Sequence, residues 1–197
     1  MKQNRSFLST CTLATAVLVC GQFGFSQNTT SASSSDKKFV QSALEGGNAE
    51  VKLGQLAAQK GNSEDVKQFG QKMVDDHTKL GDQMKQIAQQ QGIQVPDGSP
   101  AKDKALETKL NSLSGDAFDK AYIKAMVKDH QKDLSEFKKE ASSGNDTSIK
   151  DAASQGAQVI SEHLQMAQQM AQKHSVKTDA MSNDLSGQPV GHREHQQ

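Results

Sequence analysis

Apolar residues recur at intervals of three and four along most of the chain, which is the spacing of the buried face of a packed α-helix. Small polar breaks interrupt the pattern at Gly61-Asn62, at 92–100 and at Ser143-Gly144. The sequence therefore predicts four long helices, at about 36–60, 63–91, 114–142 and 147–174. A short helix at about 101–113 is predicted inside the connection between the second and third long helices.

The lengths of the connections predict how these helices are arranged. Tight turns join helix one to helix two and helix three to helix four, so each pair is expected to be antiparallel. The connection between helices two and three has roughly 23 residues, which is enough to return along helices of about 40 Å. We therefore expect an all-α fold, a four-helix bundle with one long crossover, which is the plan of ferritin-like folds.

Each of the last three long helices carries one histidine on its apolar face, namely His77, His130 and His163. The three faces are Val66, Phe69, Met73, His77, Leu80, Met84 and Ile87; Phe118, Tyr122, Met126, His130, Leu134 and Phe137; and Ala152, Gly156, Val159, His163, Met166 and Met170. These positions follow a coiled-coil-like seam, which places the imidazoles in the core.

The first long helix has two alternative buried faces. One is a stripe of small residues that includes Glu50, consisting of Ala43, Gly47, Glu50, Gly54 and Ala57. The other consists of Val40, Leu44, Gly47, Val51 and Ala58, and would place Glu50 at its edge. The assignment of Glu50 to the core is therefore weaker than that of the histidines.

Glu50, His77, His130 and His163 all fall near the middle of their predicted helices, so they could share one layer of the bundle. An unpaired polar group in an apolar core costs about 1–3 kcal/mol. A bound metal would provide the missing partner, and three imidazoles with one carboxylate suit a single Zn²⁺, Cu²⁺ or Fe ion. The alternative is that these are core histidines, hydrogen-bonded to Glu50, Tyr122 or one another.

A local repeat supports this pattern. MVDDHTKL (73–80) and MVKDHQKD (126–133) match at five positions, and ISEHLQMA (160–167) is a looser version. An acidic residue precedes each histidine, and these residues are Asp76, Asp129 and Glu162. Each lies about 100° around the helix from the histidine that follows it, so we expect them, with Asp133, to flank the ligands and not to bind the metal.

The two ends of the chain differ in composition from the predicted bundle. Residues 1–26 contain Lys2 and Arg5, then an uncharged apolar run, then small residues, which is the plan of a secretory signal peptide. We expect cleavage after Ser26, with lipidation at Cys20 as the alternative. Residues 27–35 are predicted to be a disordered linker, 36–174 the bundle, and 175–197 a disordered tail.

Charge narrows the range of partners. The 197 residues include 23 Lys and Arg against 23 Asp and Glu, and removal of the signal peptide would leave a formal charge of −2. A nucleic-acid partner is not expected, because binding to phosphates requires excess positive charge. Removal of residues 1–26 also leaves no cysteine and no apolar run long enough for a transmembrane helix. The mature protein is expected in the periplasm or at the outer membrane, where it could associate peripherally with the envelope.

The segments FVQSALEGGNAEVKLGQLAAQKGNSEDVKQFGQKMVDDHTKL, AYIKAMVKDHQKDLSEFKKEA and SEHLQMAQ resemble the exported bacterial family known as domain of unknown function 4142. The resemblance covers about residues 36–172 and rests on the double MV-x-D-H motif. It implies a ferritin-like bundle in an exported protein, and it implies no established activity. The Glu-x-x-His pairs of di-iron bundles are missing, since Val74, Val127 and Ile160 stand three positions before the histidines.

Two classes of function follow from these features. We favour a non-catalytic binding protein of the envelope or of the stress response. The alternative is a metal-binding bundle that serves storage, scavenging or redox protection through Glu50, His77, His130 and His163. The sequence holds no nucleophile motif and no phosphate-binding glycine loop, so an enzymatic activity is left open and is not favoured.

Overall fold

The described part of the chain is entirely helical. The computed structural model describes residues 31–95, 98 and 100–178, and over these residues it contains five helices and no strand. The helices are α1 (Ser34–Lys60), α2 (Glu64–Gln90), α3 (Ala101–Asn111), α4 (Gly115–Ser143) and α5 (Thr147–Lys173). The predicted all-α class is confirmed. Each helix in the described ranges is too short or too polar to cross a membrane.

The helices form a bundle of two hairpins. α1 packs along α2, and α4 packs along α5. Contacts of α2 with α5 and of α1 with α4 join the hairpins, while α3 lies against α1 and α4. The core contains the apolar faces of the four long helices, with Phe69, Phe118, Tyr122 and Met126 among its largest fully buried side chains.

Each hairpin supplies a carboxylate that holds the loop of the other hairpin. Asp119 of α4 accepts hydrogen bonds from the backbone N–H groups of Asn62 and Ser63, both at 2.8 Å, and from the Ser63 hydroxyl at 2.6 Å. Asp36 of α1 accepts from the backbone N–H of Asn145 at 3.2 Å and of Asp146 at 3.1 Å. These contacts fasten the α1–α2 loop to α4 and the α4–α5 loop to α1.

The first helix begins earlier than the predicted boundary at Asp36. Ser33 is the N-cap, because its side chain accepts a hydrogen bond from the Asp36 N–H while the Asp36 carboxylate accepts one from the Ser33 N–H. Ser34 and Ser35 are therefore helical, and Ala32 is buried. This part of the predicted linker 27–35 is thus ordered. The predicted signal peptide and residues 27–30 lie outside the described residues.

The chain also stays ordered beyond the predicted end of the bundle. Ser175 has a φ of +54°, and the Val176 N–H donates a 2.8 Å hydrogen bond to the Ala171 carbonyl. This left-handed cap turns the chain back over α5, and Val176 and Thr178 are buried. The first four residues of the predicted tail 175–197 thus include two buried side chains, which the sequence did not signal because a single apolar residue after a cap gives no periodicity. Residues 179–197 lie outside the described residues.

The buried face of α1 takes residues from both predicted alternatives and adds Ala49 and Leu53, which belong to neither. Val40 and Leu44 are buried in its first half, whereas Glu50, Gly54 and Ala57 are buried in its second half. The second half of α1, which includes Glu50, packs into the interior. There α1 also lies close to α2: a Cβ atom added to Gly54 would lie 2.7 Å from the carbonyl oxygen of Gly70.

Candidate metal centre

Three histidines meet in the interior of the bundle. His77 of α2, His130 of α4 and His163 of α5 are 6%, 1% and 0% exposed. Their ring centroids are 5.3 to 5.8 Å apart. Each histidine has one ring nitrogen that belongs to a group of three, and all three nitrogens lie within 4.8 Å of one another. Zinc–imidazole distances are about 2.0–2.1 Å, so the three nitrogens would have to move towards one another to bind the same ion.

Hydrogen bonds fix the proton position on two of the rings. Nδ1 of His130 lies 3.0 Å from the carbonyl oxygen of Met126, and Nε2 of His163 lies 2.9 Å from Oδ2 of Asp76. Both partners can only accept, since the Asp76 carboxyl is ionised, so these nitrogens carry the protons. The other nitrogen of each ring is left with a free lone pair.

These remaining nitrogens have no partner. Nε2 of His77, Nε2 of His130 and Nδ1 of His163 are buried and make no hydrogen bond. For His130 and His163 they are the atoms with the free lone pair. A histidine that donates through one nitrogen to a carbonyl or carboxylate and points the other at a metal is the usual arrangement of an imidazole ligand.

The three rings are neutral around pH 7. Burial lowers the pKa of His77 to about 3, with a smaller contribution from the neighbouring His163. Burial, with His77 and His163 nearby, holds the pKa of His130 well below its usual value. Burial also lowers the pKa of His163, although Asp76 opposes this shift. Neutral imidazoles are the form that binds metals.

Four acidic residues were predicted to flank the histidines. Among the described hydrogen bonds, Asp76 is the only one of the four that bonds to a histidine side chain. It contacts His163 of α5 and not His77, the residue that follows it in sequence. It also pairs with Lys72 at 2.8 Å. Burial would raise the pKa of Asp76, but hydrogen bonds from Lys72 and His163 outweigh it, so the pKa is lowered. Glu162 is exposed and lines a surface groove. Its negative charge favours the protonated form of the neighbouring His163 ring.

Glu50 does not join the three histidines. The group of ligand atoms within 4.8 Å of one another contains only the imidazoles. Glu50 is buried, and its Oε2 atom makes no hydrogen bond. Burial, reinforced by the negative charges of Asp129 and Asp133, raises its pKa well above the ordinary value.

Glu50, Asp129 and Asp133 instead line a cavity of about 200 Å³ whose wall also includes His77. Burial raises the pKa of Asp133 to about 6, and it raises that of Asp129 as well. The short helix α3 adds Lys102 and the buried Asp103 to this wall. Neither residue could be assigned to this wall from hydrophobic periodicity, because α3 has few apolar positions.

The comparison with known protein families identifies the chain. The family model described as Domain of unknown function (DUF4142) matches residues 24–170. The chain belongs to this family. The matched DUF4142 region contains all three histidines, Asp76 and the cavity residues, and it confirms the resemblance drawn from the repeated motif. No curated protein and no solved structure matches the chain.

Proposed function

We propose that this protein of the DUF4142 family binds one transition-metal ion through His77, His130 and His163. The observation that carries the proposal is that each of three clustered histidines keeps one buried ring nitrogen without a hydrogen-bond partner. Three unsatisfied polar atoms of this kind would cost several kcal/mol together at about 1–3 kcal/mol each. Coordination to an ion would satisfy all three at once.

The ligand set favours Zn²⁺, Cu²⁺ or Fe over Mg²⁺ or Ca²⁺. Neutral imidazoles suit the first group, whereas the second prefers oxygen ligands. Three histidines leave a coordination position for water or for a further ligand, as in zinc sites with an open position. A di-iron centre is not proposed, because Val74, Val127 and Ile160 replace the glutamates that such a centre would need.

The metal-binding alternative is therefore preferred to a metal-free binding scaffold. Storage, scavenging and redox protection are the roles that such a site would serve. We place the protein outside the cytoplasm, in the periplasm or at the outer membrane, on the strength of the predicted signal peptide. We also propose that the two hairpins form a ferritin-like four-helix bundle, with α3 in the long crossover.

Metal titration of the full mature protein tests this proposal. Protein purified without a polyhistidine tag and stripped with a chelator is titrated with Zn²⁺ against a competing indicator. We expect one Zn²⁺ per chain, and loss of this binding in His130→Ala and His163→Ala. His174→Ala is the matched control, because His174 pairs with Asp65, 3.0 Å away, and is not part of the cluster.

A second measurement uses only the wild-type protein, so it does not depend on whether the variants fold. Co²⁺ bound to the wild-type protein should give the visible absorption of a tetrahedral site with nitrogen ligands. The proposal is overturned if the wild type binds no stoichiometric Zn²⁺ or Co²⁺. It is equally overturned if folded His130→Ala, checked by circular dichroism, binds Zn²⁺ as tightly as His174→Ala does.

A further inference from the structure

The cavity beside His77 is strongly acidic. Six carboxylate residues line it, and only two cationic side chains accompany them, Lys102 and Lys132. The carboxylates belong to Glu45, Glu50, Asp103, Asp129, Asp133 and Glu136. We refer to this space and these residues as the acidic cavity. Its volume of about 200 Å³ is room for several water molecules.

Two of the residues that line the acidic cavity each have one carboxylate oxygen without a hydrogen-bond partner. These atoms are Oε2 of Glu50 and Oδ2 of Asp103, and both are buried. The two residues are only 5% and 7% exposed. Buried carboxylates are normally paired or bound to a cation, because removing the charge from water is costly. The carboxylates of Glu50 and Asp103 are therefore candidates for cation ligands.

The two lysines do not neutralise the cavity. Lys102 lies 3.4 Å from Asp103 and 4.0 Å from Asp129, whereas Lys132 pairs with Glu136 at 2.8 Å and lies 3.8 Å from Asp133. Both lysine side chains are more than half exposed, so these pairs contribute little. Neither lysine reaches the unpaired oxygen of Glu50 or of Asp103. A net excess of negative charge remains around these atoms.

We propose that the acidic cavity binds a hydrated divalent cation that prefers oxygen ligands, at a position separate from the three histidines. Carboxylate and water suit Mn²⁺ and Mg²⁺, which keep several water ligands when few protein oxygens are close. Among the described residues only the histidines bring three ligand atoms within 4.8 Å of one another, so the carboxylates of the acidic cavity are too far apart to bind one ion directly as a set of three. Water molecules would have to bridge the ion to Glu50 and its neighbours.

The raised pKa of Glu50 supports this assignment. Burial raises it first, and the charges of Asp129 and Asp133 add to the effect. A divalent cation in the acidic cavity would offset both contributions and favour the ionised carboxylate. The proposal goes beyond the histidine centre, because neither Glu50 nor Asp103 belongs to that group.

Mn²⁺ is the probe, because free and bound Mn²⁺ differ in their electron paramagnetic resonance spectra. The full mature protein is titrated in two forms, the wild type and a His130→Ala/His163→Ala variant without the histidine centre. We expect one Mn²⁺ per chain in both forms. Glu50→Gln and Asp133→Asn should each weaken Mn²⁺ binding at least about tenfold, whereas the exposed Asp75→Asn should leave it unchanged.

The same variants separate this proposal from the histidine centre. Glu50→Gln should still bind one Zn²⁺ at the histidines, so loss of Mn²⁺ with retention of Zn²⁺ supports a separate oxygen site. Absence of stoichiometric Mn²⁺ binding in the wild type overturns the proposal. Equal Mn²⁺ affinity in the wild type, Glu50→Gln and Asp133→Asn overturns it too. Loss of Mn²⁺ only when the histidines are removed would place Mn²⁺ at the histidines and also overturn it.

Discussion

Asp76 of α2 accepts a hydrogen bond from His163 of α5, with 2.9 Å between Oδ2 and Nε2. The contact crosses between the two hairpins, and it leaves Nδ1 of His163 as the nitrogen with a free lone pair. It also sets the orientation of the ring beside His77 and His130. Asp76 is therefore a positioning residue for the proposed metal centre.

Replacing Asp76 should weaken the metal centre without removing a ligand. We expect Asp76→Asn to lower Zn²⁺ affinity about 10–100-fold, which is the usual effect of losing the partner of a metal-binding histidine. Asp75→Asn is the control, since Asp75 is exposed, carries the same charge and contacts only Gln71 of its own helix among the hydrogen bonds seen. Competitive Zn²⁺ titration measures both. Equal affinities in the two variants would contradict the role given to Asp76.

The close packing of α1 on α2 predicts opposite effects for two glycine substitutions. A Cβ atom on Gly54 would lie 2.7 Å from the backbone oxygen of Gly70, whereas one on Gly81 would meet nothing within 4 Å. Gly54→Ala should therefore lower the free energy of unfolding by about 1–3 kcal/mol, because the helices must separate. Gly81→Ala should raise it by about 0.5–1 kcal/mol. Urea unfolding measures both changes. If both variants were more stable than the wild type, the close contact between α1 and α2 at Gly54 would be contradicted.

Asp36 should make stability depend on acid pH. Burial acts to raise its pKa, but hydrogen bonds from Ser33, Asn145 and Asp146 outweigh burial and lower it from 3.8 to about 2. A carboxyl with a lowered pKa in the folded state stabilises the fold above its unfolded pKa, and this stabilisation is lost as the pH falls. The advantage of the wild type over Asp36→Asn should therefore be constant above about pH 5 and shrink by roughly 2 kcal/mol towards pH 2.

Unfolding of both proteins between pH 7 and pH 2 measures this difference. Asp116→Asn is the control, because Asp116 lies in the first turn of α4 and is exposed. Glu140 is the other carboxylate beside Asp36, and burial and Asp36 together raise its pKa. Ionisation of Glu140 should therefore lower the free energy of unfolding as the pH rises, opposite to the effect of Asp36. A difference between the wild type and Asp36→Asn that does not change with pH would contradict the hydrogen-bonded role of Asp36.

Glu50→Gln should stabilise the protein when divalent cations are absent. Its raised pKa means that the folded state disfavours the charged carboxylate, a cost that appears as the pH rises above 4.5, the ordinary pKa of a glutamate side chain. Glutamine has a similar shape and no charge, so the free energy of unfolding in chelator at pH 7.5 should exceed that of the wild type. Glu162→Gln serves as the exposed comparison. Lower stability of Glu50→Gln would contradict the electrostatic account of this residue.

The sequence predicted the histidine cluster because a single apolar seam on each helix determines which residues face inward. His77, His130 and His163 each continue a run of buried residues at intervals of three and four, and all three face the interior as expected. Hydrophobic periodicity shows which face of one helix is buried, but not which residues of two helices meet. It did not predict that Asp76 contacts His163, because that contact depends on the relative rotation of α2 and α5.

Glu50 shows the same limit. The sequence of α1 was compatible with two buried faces, and in the structure Glu50 is buried in the half of α1 that also packs closely on α2 at Gly54 and Gly70. The approach itself is a tertiary feature, as is the position of Lys102 and Asp103 on α3. The acidic cavity could therefore be found only once the helices were in place.

Because Asp36 and Asp119 exchange loop contacts between the hairpins, we expect the hairpins to stay side by side without the peptide link between them. A chain opened at Gly98, an exposed position between α2 and α3, should give two fragments that associate as a heterodimer. Such fragments should co-elute in gel filtration, and Asp119→Ala should weaken their association. The molecule thus has the properties needed for a split protein whose halves recognise each other through two buried carboxylates.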